Sequence, residues 1–193
     1  MSFGLDDALL GVSLLGALLS IGVLAQSIAF PGSRVWPVPA DADRFNASRI
    51  FVNRAVTPVI GLSAAAMLAL SLIDFGSLGL PTWIHSSAGA ALFAAGGSFG
   101  WMGFRTLGFE ISTGNPGDLQ VRGPYRISRN PQYVGAVGVL IGLALLSNSL
   151  TVLLAAVPWC LWFCIAPLAE ESWLQALLGD PYISYVDKTK RYL

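Results

Sequence analysis

Polar chemistry in this 193-residue chain is concentrated in two short stretches. The first, Leu119 to Gly135, reads L-Q-V-R-G-P-Y-R-I-S-R-N-P-Q-Y-V-G and combines three arginines, two tyrosines and two prolines. Proline fixes φ and lacks an N–H, which suits the first turn of a helix. Pro131 therefore marks where an ordered loop turns into a helix, with Arg129, Asn130 and Tyr133 at the turn. The second stretch is Glu170-Glu171, directly after an apolar run. Two adjacent carboxylates at that point invite a cation: either these arginines, or the ammonium or sulfonium of a ligand. An arginine–glutamate clamp that holds no ligand is the competing reading. Metal chemistry finds little support. His85 is the only histidine, and Cys160 and Cys164 lie four apart within an apolar run. Zinc normally needs three or four nitrogen or sulfur ligands, and two such cysteines form no disulfide framework.

The elements that must position these residues are membrane helices. Hydrophobic residues make up 54% of the chain and charged residues 11%, with a mean hydropathy of +0.65. A typical soluble domain is roughly 25% charged. The composition excludes an ordinary soluble globule, a disordered chain and a nucleic-acid binder with a broad basic face. A crossing helix needs about 20 mostly apolar residues. Five candidates follow, at Leu9–Phe30, Ala55–Ile73, Thr82–Phe104, Tyr133–Leu146 and Leu150–Leu168. The last two form a hairpin around Ser147-Asn148-Ser149, and its first arm is short. In the third span Ala90, Ala94 and Gly97 share one face and Gly96, Gly100 and Gly103 another; such faces let backbones approach closely, within or between chains. After the hairpin come an amphipathic helix start, a Gly-Asp-Pro break and a polar tail.

Charge sorting supports the five-span count. All 11 basic residues fall in three segments. Arg34, Arg44, Arg49 and Arg54 lie in the 31–54 loop. Arg105, Arg122, Arg126 and Arg129 lie in the 105–132 loop, and Lys188, Lys190 and Arg191 in the tail. Five spans place these segments on one side, which the positive-inside rule makes cytoplasmic, with the N-terminus outside. The expected fold is thus an all-α polytopic membrane protein with one domain over residues 1–193: three spans and loops to residue 118, then the arginine-rich loop from Leu119, the hairpin and the C-terminal segment. No signal peptide is read at the N-terminus, which carries Asp6 and Asp7. With almost no ionisable residue inside the spans, an ion-coupled transporter is disfavoured. His85 reads as an interfacial histidine, the sequon at Asn46 as chance, and Trp36, Trp101 and Trp173 as interfacial anchors.

The segment G-P-Y-R-I-S-R-N-P-Q-Y-V-G, Gly123 to Gly135, resembles the signature of the isoprenylcysteine carboxyl methyltransferases, their bacterial relatives and the phospholipid N-methyltransferases. The resemblance continues in order through Glu170-Glu171, Gly179-Asp180-Pro181-Tyr182-Ile183-Ser184-Tyr185 and the basic Lys188–Arg191, so it covers about residues 119–191. It implies an integral-membrane methyltransferase, in the inner membrane of a prokaryote, that takes S-adenosylmethionine from the cytosol and a lipophilic acceptor from the bilayer. Carried over residue by residue, Val121, Gly123 and Tyr125 line the cofactor, Asn130 and Pro131 close its pocket, and Leu174 packs on the adenine. Glu170 holds the cofactor's ammonium or orders the arginines. Arg129, Tyr133 and Glu171 are the catalytic candidates, with Glu171 holding the same ammonium or ordering the arginines. Arg126, Tyr182 and Tyr185 face the acceptor. Asn130 stands where the eukaryotic carboxyl methyltransferases carry histidine, so no general base is available there. Gln132 stands where an apolar residue such as Met is commoner.

Displacement at a sulfonium needs alignment and desolvation more than a strong base. A carboxylate acceptor is already a nucleophile, whereas an amine must first lose a proton, for which a glutamate is the available base. Carboxylate, amine and thiol acceptors all stay open. The rivals are an NADPH-dependent enzyme like the sterol reductases, which share a distant form of the signature, and a non-catalytic scaffold or lipid-binding protein.

Overall fold

The computed structural model describes residues 4–37 and 47–193, without the side chains of residues 47–51, 53 and 54. The sequon residue Asn46, Arg44 and the side chains of Arg49 and Arg54 lie outside the described residues. Within them the fold is all-helical. Seven helices follow in order: α1 (Leu5–Ala29), α2 (Ala47–Ile73), α3 (Thr82–Leu107), α4 (Phe109–Ser112), α5 (Pro131–Leu146), α6 (Leu150–Leu178) and α7 (Asp180–Val186). Single 3₁₀ turns occupy Pro31–Ser33 and Gly123–Arg126.

Among the described residues, three segments are long and apolar enough to cross a membrane: Leu5–Ala29, Ala55–Ile73 and Leu150–Leu178. α3 has 26 residues but is rich in glycine and serine. α5 has 16 residues, about 24 Å at 1.5 Å per residue, against a hydrocarbon core of about 30 Å. The apolar run read as ending at Leu168 continues helically through both glutamates to Leu178, because the polar residues there keep good helix propensity. It stops at Gly179, whose φ of +61° suits glycine, and Pro181 then sits in the first turn of α7.

α3 and α5 pack antiparallel along their length, and glycine makes this possible. Gly103 lies against Pro131 and Gln132 at one end, and Gly89 against Leu145 and Leu146 at the other. A methyl group added at Gly135 would stand 2.5 Å from the Cα and N of Gly100 and 2.6 Å from the carbonyl oxygen of Gly96. Of the two small-residue faces read in α3, the structure commits the Gly96–Gly100–Gly103 face to packing within the chain. α1, α2 and α6 enclose the apolar core beside this pair. Ala17, Met67, Leu70, Val152, Ala155 and Trp159 form its main cluster, and Leu24, Ala166 and Ala169 a second one nearer the C-terminal end of α1.

The 74–81 and 147–149 turns meet at one end of the bundle. The Leu78 N–H donates to the Asn148 carbonyl at 2.8 Å, and the Asn148 side chain pairs with both backbone groups of Leu80 at 3.0 and 3.1 Å. The Asp74 carboxylate accepts from the Ser77 and Ser149 hydroxyls at 2.7 and 2.6 Å and from the N–H and hydroxyl of Thr151 at 3.0 and 2.8 Å. Partial burial raises its pKa, but these bonds outweigh that and hold it at about 2. Ser149 also caps α6 by accepting from the Val152 N–H. His85 lies near this end, its ring edge-on to Phe75 with centroids 6.4 Å apart.

Candidate functional site

At the opposite end the signature loop is tied to the C-terminal tail. Ser128 and Lys190 form an isolated parallel β-bridge, and the Arg129 N–H donates to the Lys190 carbonyl at 2.9 Å. The Ser128 hydroxyl and the Asn130 side-chain amide both donate to the Arg191 carbonyl, at 3.2 and 3.0 Å. Asn130 thus holds the tail by donation, a role that needs no proton exchange. The Arg129 guanidinium donates to the carbonyls of Val186 and Thr189 at 3.0 and 3.2 Å and pairs with Glu171 at 2.9 Å. Arg191 grips the same carboxylate with Nε at 2.9 Å and Nη2 at 2.7 Å. Glu171 is therefore the joint between loop and tail, and its hydrogen bond is the main cause raising the pKa of Arg191.

Glu170 faces elsewhere. Its carboxylate accepts from the Tyr133 hydroxyl at 2.5 Å and borders an open cleft of about 810 Å³, counting solvent at its mouth. The cleft is walled by the 111–120 segment, the signature loop, the end of α6 and α7. Leu119, Trp173, Leu174 and Leu178 give it apolar surface; Asn115, Asp118, Gln120 and Glu170 give it polar groups. Tyr125, Tyr182 and Tyr185 close it from the tail side, and the Tyr185 hydroxyl donates to the Tyr125 carbonyl at 2.6 Å. Burial pushes the phenols of Tyr125 and Tyr182 above their ordinary range and that of Tyr185 to about 12, so all three are neutral donors near pH 7.

Two further spaces adjoin the cleft. A cavity of about 1200 Å³, again counting solvent at its mouth, lies between α1, α2, α5 and α6; it is walled by Leu24, Ile60, Ala136 and a group of aromatic rings, and shares Ser112, Gln132 and Tyr133 with the cleft. The rings are Trp36, Tyr133, Trp159, Trp162 and Phe163, and successive centroids lie 5.0 to 6.4 Å apart. Gln132 forms the partition: its amide donates to the Ser112 hydroxyl at 3.0 Å and to the Tyr125 hydroxyl at 3.1 Å. An outer groove along α5 and α6, walled by Val134, Val137, Cys164, Tyr192 and Leu193, shares Tyr133 and Phe163 with the cavity. Tyr133 borders all three spaces.

Of the residues singled out from sequence, the structure brings Tyr125, Arg129, Asn130, Tyr133, Glu170, Leu174, Tyr182 and Tyr185 to the cleft. Five others it does not. Val121 is 47% exposed and Arg126 is exposed, both outside the cleft lining. Gly123 provides the turn with a φ of +56°, Pro131 is buried against Gly103, and Glu171 is spent on the two arginines. Sequence reading missed the whole 111–118 wall and Trp173. The turn composition of Gly114-Asn115-Pro116-Gly117-Asp118 was a signal for a folded loop, but nothing in it named a ligand. Trp36 lines the cavity and Trp173 the cleft, and Trp101 is 59% exposed.

Comparison with known proteins gives one finding that bears on this site. A family model described as phospholipid methyltransferase matches residues 84–180, from α3 through the signature loop and hairpin to the start of α7. No match was found among curated proteins or among solved structures.

Proposed function

The chain belongs to the phospholipid methyltransferase family, and from that premise we propose that it transfers the methyl group of S-adenosylmethionine to a lipophilic acceptor at the cytoplasmic face of a membrane. The observation that carries this reading is the pairing of a cleft that mixes polar and apolar groups with an aromatic cavity across one thin partition, Gln132 and Tyr133. The two chemically unlike reactants need two such compartments that touch at one place.

The cleft residues fit the cofactor by their chemistry. Trp173, Leu174 and Leu178 offer apolar faces to an adenine, and Glu170 offers a carboxylate to a cation. Arg129 Nε is a buried donor with no partner among the described residues, on a side chain that borders the cleft and suits a carboxylate. When bound, S-adenosylmethionine supplies an electrophilic methyl on a positively charged sulfur. The chain's contribution is alignment and exclusion of water. The Glu171 joint fixes the loop and tail that form one wall, and the aromatic cavity gives the acceptor a largely apolar approach.

In the same reading the five helices α1, α2, α3, α5 and α6 each cross the bilayer, with the N-terminus outside. The 74–81 and 147–149 turns, which hold no lysine or arginine, share one end of the bundle, and Arg129, Lys190 and Arg191 gather at the other. The direct test is thermal stabilisation of the detergent-purified protein, since a ligand that binds only the folded state raises its apparent stability. S-adenosylhomocysteine should raise the melting temperature and NADPH should not. The reverse pattern would transfer the chain to the reductase reading, and no shift with either would favour a non-catalytic role.

A further inference from the structure

We propose that Gln132 orients the transferable methyl group by holding a fixed carbonyl oxygen where the cleft and the aromatic cavity meet; this rests on the methyl-transfer reading above. The two compartments share Ser112, Gln132 and Tyr133. A group that passes between reactants in the two spaces must therefore pass beside these side chains. The hydroxyls of Tyr133 and Ser112 are already engaged, with Glu170 at 2.5 Å and with the Gln132 amide at 3.0 Å.

The Gln132 carbonyl oxygen is not. A primary amide has two N–H donors and an acceptor oxygen with two lone pairs. The donors are used on the Ser112 and Tyr125 hydroxyls, at 3.0 and 3.1 Å, which turns Oε1 away from both. Oε1 accepts from no donor among the described residues and, unlike the buried Nε of Arg129, it is not sealed from the adjoining space. The amide is set from three sides. Ser112 ends α4, Tyr125 lies in the signature loop, and Gly103 of α3 leaves room for the side chain. A methyl added at Gly103 would stand 3.0 Å from the Gln132 Cγ. Tyr125 is held in turn, its carbonyl accepting from the Tyr185 hydroxyl of α7 at 2.6 Å. An acceptor fixed before its ligand arrives loses little freedom on binding.

A neutral oxygen suits this place. The positive sulfur of the cofactor polarises its methyl C–H bonds, which makes them weak hydrogen-bond donors. An oxygen without formal charge can aim those bonds while forming no ion pair with the sulfonium, whose charge is lost on transfer. A methionine at position 132 would fill the same space and offer no such oxygen.

The test uses the full-length protein in detergent and two probes that differ at this one group. S-adenosylhomocysteine lacks the methyl, and sinefungin carries C–NH₃⁺ where the cofactor carries S–CH₃⁺. An ammonium N–H is a far stronger donor to the same oxygen, so sinefungin magnifies the contact. Calorimetry gives the ratio of the two affinities for each protein, and any attraction to Glu170 is common to all of them. Wild type should prefer sinefungin. In Gln132→Met that preference should fall about tenfold, or about 1.4 kcal/mol, while S-adenosylhomocysteine binds within about threefold of wild type. Gln132→Glu, which keeps an oxygen in place, should retain or raise the preference. An unchanged ratio in Gln132→Met, or equal losses for both probes, would overturn the proposal. A wild type with no preference for sinefungin would do so whether or not the Met variant folds, and so would a Gln132→Glu ratio as low as that of Gln132→Met. A wild type that binds neither probe would instead remove the methyl-transfer reading.

Discussion

Replacing Glu171 by glutamine isolates the joint between the signature loop and the tail. The substitution preserves side-chain shape and helix propensity but removes the charge that two arginines share. The Arg129 side chain is 8% exposed and that of Glu171 16%, so this pair is largely shielded from water, whereas Arg191 is 40% exposed. Stranding one partner of a fully buried pair costs about 3–5 kcal/mol. Arg129 keeps its bonds to the Val186 and Thr189 carbonyls, which lowers that figure. The half-exposed Arg191 contact adds at most about 1 kcal/mol. A net loss of about 2–3 kcal/mol follows from these terms, which for a chain of this size is a fall of roughly 4–12 °C in melting temperature. The tail should also loosen first, so limited trypsin digestion should reach Lys188, Lys190 and Arg191 sooner in the variant. Arg129→Gln should produce a similar loss, and the double variant should lose less than the sum, by a coupling of about 1–3 kcal/mol. A Glu171→Gln protein that melts within about 2 °C of wild type, with unchanged cleavage of the tail, would refute the assignment of this contact as the joint.

Gly135→Ala should destabilise by at least about 1–3 kcal/mol, measured by thermal or SDS denaturation, because the added methyl would meet backbone atoms at 2.5 Å; Gly61→Ala, with nothing within 4 Å, should be neutral or slightly stabilising. Asp74 titrates at about 2 in the fold, below its unfolded value, so its contribution is present above about pH 4 and is lost as pH falls toward 2. Asp74→Asn should therefore flatten the acid limb of the stability curve over that interval, and an unchanged limb would count against the turn network. In a background with both native cysteines replaced by serine, an impermeant maleimide applied to intact cells should label Leu5→Cys and not Ser184→Cys. Labelling of both from one side would sink the five-span arrangement.

The helices were legible from sequence because apolar length is a strong signal, and the hairpin because Ser147-Asn148-Ser149 interrupts it. The continuity of α6 was not, because the amphipathic stretch read between the hairpin and the Gly-Asp-Pro break is the same helix, carried ten residues beyond its apolar run, through Leu178. The small-residue faces of α3 announced close packing without saying which face was used; that depended on where the matching glycines of α5, Gly135, Gly138 and Gly142, would lie. In the site, residues that bind a neighbour by side-chain chemistry were readable: Arg129, Tyr133 and Glu170 all lie at the cleft. Val121 and Arg126 were not, because a 3₁₀ turn at Gly123–Arg126 decides which way they point, and they point out. The 111–118 wall was silent because its contribution is shape.

The adjacent glutamates show most clearly what folding adds. From sequence they form one acidic unit awaiting one cation. On a helix of 3.6 residues per turn, neighbours point about 100° apart. Glu171 is thereby directed to Arg129 and Arg191, where its charge is neutralised in joining the tail to the loop. Glu170 is directed to Tyr133 and the cleft, where its carboxylate accepts from a phenol and borders open space. The division makes the two positions separable by experiment. Loss of Glu171 should first disturb the wall and only through it any ligand, so added S-adenosylhomocysteine should partly restore the melting temperature. Loss of Glu170 removes a buried acceptor from a wall that stays in place, so chemistry should suffer before stability does. If Glu170→Gln lowered the melting temperature as far as Glu171→Gln, the pair would be one structural unit after all.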